Sequence, residues 1–192
     1  SKRRSTSRKK RQRIPLRTLA IVGYTNAGKS TLLNCMTGSD VLSEDKLFAT
    51  LDPTSRKVRL PCGRTVVLTD TVGFIRKLPH RLVDAFKATL EEALVADLLL
   101  HVVDLSNPDF DKQMETTVEV LEELGGGDKE TLTVYNKIDL VDKAVMKIKA
   151  QKIADTCVFI SSKTGEGIEG LFALIEEKLD DAGQVISSAS RI

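Results

Sequence analysis

At 192 residues the chain is long enough for one domain, or one domain and an appendage, and short for two. Its 41% hydrophobic and 29% charged residues exclude a collagen-like, disordered or membrane-bundle chain, and its longest apolar run, 98–103, falls far below the roughly 18 residues of a spanning helix. The net charge of +2 hides an asymmetry: residues 1–17 carry nine basic side chains and no acid, which leaves 20 basic against 27 acidic side chains in the rest.

In chain order, the basic run at 1–13 reads as an arm. It is either an electrostatic handle for a polyanion such as RNA, set beside a mildly acidic body, or a solvated end. It lacks the apolar helical face of a mitochondrial targeting peptide, offering only Ile14 and Leu16 at its far end. After Pro15, short apolar runs alternate with longer amphipathic stretches, the pattern of βαβ units around a mainly parallel sheet. The runs predict strands at 18–22, 56–60, 65–70, 98–103, 132–136 and 157–160. A period near four predicts helices over 81–94, 110–124 and 168–179. Their core-facing stripes are Leu82, Phe86, Leu90 and Leu94, then Phe110, Met114, Val118 and Leu121, then Ile168, Leu171, Phe172, Ile175 and Leu179.

Pro61-Cys62-Gly63-Arg64 is a turn-forming cluster that joins the second and third strands as an antiparallel hairpin. The expected fold class is therefore α/β, three-layered, with a mainly parallel six-stranded sheet and one antiparallel edge strand. Gly125-Gly126-Gly127 stops the preceding helix, and 182–192 is expected as a tail, frayed from Ser187 onward. Cys35, Cys62 and Cys157 form no C-x-x-C pair, which predicts free thiols in a reducing cytoplasm rather than disulfides or a zinc site.

The first strand runs into Gly23-Tyr24-Thr25-Asn26-Ala27-Gly28-Lys29-Ser30, a G-x-x-x-x-G-K-S pattern, followed by a helical stretch that opens at Thr31. Strand, glycine-rich loop and helix in that order form a phosphate loop. A triphosphate concentrates negative charge that successive backbone N–H groups cradle, and glycine lets the backbone approach without a Cβ in the way. Gly23, Thr25, Asn26, Ala27, Gly28, Lys29, Ser30 and Thr31 are the nucleotide-binding candidates here. Lys29 is expected to reach the β- and γ-phosphates and Ser30 to place its hydroxyl on Mg²⁺. A further metal contact is expected from Asp70, which ends the third strand and opens the D-x-x-G unit Asp70-Thr71-Val72-Gly73. The Gly73 N–H is expected at the γ-phosphate.

Asn136-Lys137-Ile138-Asp139 ends another strand as an N-K-x-D unit. A carboxylate there accepts both N1–H and the 2-amino group of guanine, whereas adenine offers no such donors. Sites built on hydrogen bonds reject analogues that lack them by factors on the order of 10⁴, so GTP is expected over ATP. The Lys137 stem is expected to cover the base face, and Asn136 to tie this loop to the phosphate loop. Ser161, Ser162 and Lys163 follow the last strand, where their backbone N–H groups are expected to meet guanine O6.

These motifs resemble the translation-factor class of GTP-binding proteins, and more closely the HflX family of ribosome-associated GTPases. The wording that carries the resemblance is GYTNAGKSTL, FATLDPT, LTDTVGFIRKLPH with the LV, AF and TLEEAL that follow, and NKID, spread over residues 14 to 181. The resemblance implies a P-loop G domain over 14–181, with 1–13 as the end of a linker and 182–192 as a tail. It also implies a first switch at 47–56 in which Thr50 joins Mg²⁺ and the γ-phosphate, and a second at 70–80. Lys29, Thr50 and Gly73 are then the catalytic candidates, and Ser30, Thr50 and Asp70 the metal ligands. The implied activity is hydrolysis of GTP to GDP and phosphate by a cytoplasmic, monomeric switch that binds no membrane and associates with the large ribosomal subunit, its RNA and proteins.

Many GTPases place a glutamine just after D-x-x-G to orient the attacking water, and here that residue is Phe74. The HflX family shares the replacement, so slow hydrolysis without a partner is expected. A GTP- or GDP-dependent RNA- or ribosome-binding module with little turnover is the alternative. By analogy with related GTPases that pair an apolar residue here with an asparagine in the phosphate loop, Asn26 suggests a K⁺ ion beside the phosphates. His101, in an apolar strand, reads as a core residue, and His80 as a contact for a partner.

Overall fold

The computed structural model describes residues 16–38, 54–71, 73, 93–142, 144, 146 and 156–189. Six strands form one sheet: β1 (Arg17–Val22), β2 (Thr54–Arg59), β3 (Thr65–Asp70), β4 (Leu98–Asp104), β5 (Thr131–Asn136) and β6 (Cys157–Phe159). Their order across the sheet is β2-β3-β1-β4-β5-β6, with every pair parallel except β2 with β3. The expected antiparallel edge is therefore present. Among the described residues the longer helices beside the sheet are α1 (Lys29–Thr37), α2 (Phe110–Glu123) and α3 (Ile168–Ala189). The expected helix over 81–94 lies outside the described residues except at its end, where 93–95 are helical.

β4 reads Leu-Leu-Leu-His-Val-Val because both of its faces are covered, as in parallel sheets generally. Leu98, Leu100 and Val102 join one core with Leu32 and Leu33 of α1 and Leu171, Ile175 and Leu179 of α3. Leu99 packs on the opposite face with Ala20, Val22 and Leu121, and Val103 with Tyr135, Phe110 and Met114. Each fully buried Leu or Val contributes about 2 kcal/mol by removal from water. His101 shares that second face, is 3% exposed, and has its pKa pushed down to about 4 by burial, in keeping with a core residue.

Two helical expectations are corrected. Val118 is 43% exposed, whereas Thr117 and Leu121 are buried, so the α2 stripe is Phe110, Met114, Thr117 and Leu121. A helix repeats every 3.6 residues, so steps of four must be interrupted by a step of three, and Val118 falls one residue past the seam. The buried Thr117 hydroxyl is satisfied by donating to Gln113 O at 3.0 Å. The last helix runs on to Ala189, so most of the 182–192 stretch expected as a tail is helical. Ala182, Val185 and Ile186 continue helical spacing beyond Leu179, and no proline interrupts it.

β2 also begins two residues earlier than expected. Thr54 pairs with Asp70, and the Ser55 and Thr69 hydroxyls hydrogen-bond at 2.8 Å. Leu60 is buried but belongs to the turn, where it accepts from the Gly63 N–H and donates to Arg64 O. Among the described residues no helix is long and apolar enough to cross a membrane. Cys35, Cys62 and Cys157 are free.

Candidate functional site

The parallel strands all end at one rim, and the loops that leave it there converge. β1 delivers Gly23, where an added Cβ would lie 2.3 Å from Val102 O on the neighbouring strand. The chain then turns through the left-handed residues Asn26 (φ +62) and Gly28 (φ +93) into α1. Gly28 caps that helix with no side-chain hydrogen bond, and the first turn holds no acidic residue, so the positive end of the helix dipole faces the loop unneutralised.

Lys29 is only 7% exposed, and its Nζ donates to Tyr24 O at 3.0 Å, folding the side chain back over the loop. Burial lowers its pKa to about 8, an effect that nearby Asp70 partly opposes. An ammonium held in that condition gains most when an anion arrives. Gly73 crosses so close that a Cβ there would come within 2.8 Å of Lys29 Nζ and 2.9 Å of Thr25 Cα. The Ser30 hydroxyl donates to Asp70 Oδ2 at 2.6 Å, which sets two hard oxygen donors side by side next to the loop. Thr71, fully buried, anchors the start of the loop after β3 by donating to Ile21 O at 2.6 Å.

The second half of the site comes from β5 and β6. Asn136 is fully buried; its Nδ2 donates to Ala27 O at 2.9 Å, and its Oδ1 accepts from the Ser162 N–H at 3.0 Å. One amide thus links the phosphate loop, the N-K-x-D loop and the loop after β6. At Gly28 a Cβ would lie 2.3 Å from that Nδ2, so the close approach demands glycine twice over, by space and by φ. Asp139 Oδ1 accepts from the Ser161 hydroxyl at 2.7 Å, which fixes the carboxylate's direction. Lys137 stands at φ +65 and pairs through Nζ with Asp104 Oδ2 at 2.8 Å.

The structure therefore brings together Gly23 to Ser30, Asp70, Gly73, Asn136 to Asp139, Ser161 and Ser162. Lys163 follows as an exposed residue, and Thr31 is half-buried in the first turn of α1. Of the three N–H groups expected to meet guanine O6, that of Ser161 donates to Glu166 O and that of Ser162 to Asn136. This narrows the expectation to Lys163 as the donor not already engaged among the described residues. Thr50, Phe74 and His80 lie outside those residues, as do the switch stretches apart from 54–56, Asp70, Thr71 and Gly73. Sequence reasoning missed Thr71 and Asp104. Both are polar residues at the carboxyl end of an apolar strand, and that position was the available signal.

The chain matches the family described as "50S ribosome-binding GTPase" over residues 18–137. It is 56% identical to the GTPase HflX of Lacrimispora saccharolytica over 90% of this chain and 40% of the relative. It is 51% identical to the GTPase HflX of Caldanaerobacter subterraneus over 97% of this chain and 42% of the relative. It thus spans less than half the length of these curated relatives. In fold it is similar to a GTP-binding protein from Sulfolobus solfataricus solved in complex with GDP, with a TM-score of 0.67 and 31% identity over 88% of this chain and 53% of that one. With the phosphate loop, the D-x-x-G glycine and the N-K-x-D unit gathered at one rim, these matches place the chain in the 50S ribosome-binding GTPase family, in its HflX branch.

Proposed function

We propose that this chain is the G domain of a Mg²⁺-dependent switch that binds GTP, hydrolyses it to GDP and phosphate, and works on the large ribosomal subunit. The nucleotide part rests on Asn136, whose two hydrogen bonds make one rigid unit of the phosphate loop and the base-reading loop. Two recognition elements held in fixed relation select a ligand that carries phosphates at one end and a base at the other.

Gly23, Thr25, Asn26, Ala27, Gly28 and Thr31 supply the loop and helix N-terminus around the phosphates. Lys29 releases Tyr24 O and turns to the β- and γ-phosphate oxygens, whose charge keeps it protonated. Asp139, steered by Ser161, accepts from guanine N1–H and the 2-amino group. Asn136 and Ser162 brace the pocket, and Lys163 offers its N–H to O6. The Ser30 hydroxyl and Asp70 carboxylate, 2.6 Å apart, are the oxygen-only donors that suit a hard divalent cation, with Thr50 as the third. When bound there, Mg²⁺ would supply charge neutralisation for the phosphates.

Hydrolysis joins a water oxygen to the γ-phosphorus and breaks its bond to the GDP oxygen. Lys29 and the Gly73 N–H hold the transferring group as charge shifts. Phe74 cannot orient the water, so an ordered partner surface supplies that step; a K⁺ ion held by Asn26 would add positive charge near the phosphates. The family description supports the ribosome as that partner. Residues 1–13 act as the end of a linker and 14–181 as the nucleotide domain of a cytoplasmic monomer. Phe74 also favours a second reading, a nucleotide-dependent ribosome- or RNA-binding module with little turnover.

Calorimetry with Mg²⁺ tests the first claim: GTP and GDP bind, and ATP binds at least a hundredfold more weakly. Equal affinity for ATP refutes it. Single-turnover hydrolysis in K⁺ and Na⁺, with and without large subunits, separates the two readings. Acceleration on subunits supports the enzyme, and none favours the module.

A further inference from the structure

Lys137 occupies the left-handed backbone region, which residues with side chains rarely adopt. The group that holds its far end is Asp104, the last residue of β4. Asp104 lies directly beside Asn136 in the β4–β5 register, and the next residue, Leu105, donates its N–H to Asn136 O at 3.0 Å. Both carboxylate oxygens of Asp104 are committed. Oδ1 accepts from the Ser106 backbone N–H at 3.0 Å and from the Ser106 hydroxyl at 2.5 Å, and this pins the carboxylate to its own turn. Oδ2 accepts from Lys137 Nζ at 2.8 Å, with the Asp104 side chain 13% exposed and that of Lys137 29%. The four-carbon stem of Lys137 is thus tethered at one end by a constrained backbone and at the other by an immobilised charge. A lysine stem left free loses considerable rotamer entropy on ordering, and a tethered stem has already lost it before a ligand arrives.

We infer that Asp104 is a positioning residue for guanine recognition, clamping the Lys137 ammonium so that its stem stands as a preformed apolar wall beside Asp139. This rests on the nucleotide reading above and adds to it a residue outside the phosphate-loop, D-x-x-G and N-K-x-D motifs. The clamp acts on binding of the base and not on transfer of the γ-phosphoryl group, so it belongs in KM and in nucleotide release, not in kcat.

Release of a fluorescent GDP and steady-state GTP hydrolysis, measured on the chain as it stands, test this with Asp104→Asn, Lys137→Met and the double variant. Asn keeps an oxygen for Ser106 while removing the charge that faces Lys137, and Met keeps an apolar stem while removing the ammonium. Each single variant is expected to release GDP about tenfold faster and to raise KM for GTP about tenfold with kcat unchanged, the size of a direct coupling between contacting residues. The double variant is expected to match Lys137→Met. Should Asp104→Asn fail to fold, Lys137→Met carries the test, because it leaves the Asp104 turn intact. Wild-type kinetics in Asp104→Asn, or in Lys137→Met, would overturn the clamp, and so would a tenfold effect of Asp104→Asn that persists in the Lys137→Met background. A wild-type chain that ignores guanine nucleotides overturns the underlying reading instead, and this inference with it.

Discussion

Replacing Lys29 by methionine should make the nucleotide-free protein more stable while abolishing its response to nucleotide. A lysine in the unfolded chain holds its proton up to about 10.5, and Lys29 in the fold only up to about 8. The fold is therefore at full stability above 10.5 and loses that advantage as the pH falls to about 8, so at neutral pH the buried ammonium burdens it fully. That gap corresponds to about 3 kcal/mol. Losing the hydrogen bond to Tyr24 O offsets about 1 kcal/mol, which leaves a net gain of about 2 kcal/mol and a rise in Tm of about 4–8 °C for a domain of this size. Urea unfolding without nucleotide, at about pH 7 and again at about pH 10, measures the gain and its expected decline as the native lysine deprotonates. The same variant should show no rise in Tm on adding Mg²⁺ and GDP, whereas wild type gains stability with ligand concentration. A variant less stable than wild type at neutral pH, or a gain that does not shrink with rising pH, would refute the claim that Lys29 is held under electrostatic strain.

Three other perturbations follow from the same geometry. Asp139→Asn should weaken GTP about 10- to 100-fold and bring in xanthosine triphosphate, whose base exchanges a donor for an acceptor; unchanged GTP affinity in calorimetry would remove Asp139 from base selection. Gly28→Ala places a methyl group on Asn136 Nδ2 at a positive φ, so it should cost about 2 kcal/mol in chemical denaturation and weaken GTP at least about tenfold; neutrality in both assays would contradict the close approach described here. His101 contributes stability that is full above about 6.5 and lost as the pH falls to about 4, so His101→Leu should flatten that part of the acid-unfolding curve by up to about 3 kcal/mol; an unaltered acid limb would show that the imidazole is not held neutral in the fold.

Much of the fold could be read from one dimension because a strand covered on both faces must be apolar throughout. That is why 98–103 stands out in the sequence, whereas the edge strand, polar at Thr54 and Ser55, does not show its start. Val118 leaves the buried stripe because two steps of four from Phe110 overshoot the 3.6-residue repeat by about 0.8 residue. The phosphate loop and N-K-x-D unit were legible because each is a local pattern whose chemistry follows from spacing. The partners of those motifs were less so. The N-K-x-D pattern already implies the tie from Asn136 to the phosphate loop, which falls on Ala27, but nothing in the order of residues says that Lys137 meets Asp104, because that meeting depends on which strands lie side by side. The hydrogen bond from the Ser161 N–H to Glu166 O within its own turn is likewise not legible in the sequence.

Because β2 runs against the sheet, it starts beside the residue at which β3 stops, Thr54 opposite Asp70. The polypeptide entering this ribbon and the polypeptide leaving it therefore meet at the end of the sheet that carries Ser30 and Lys29. The bend at the ribbon's other end is fastened to α3, through the Cys62 N–H to Glu176 and Arg64 to Asp180. Those fastenings are exposed and add little to stability, so the ribbon is anchored instead by the burial of Val58, Leu60, Val66 and Leu68 in the core beside β1.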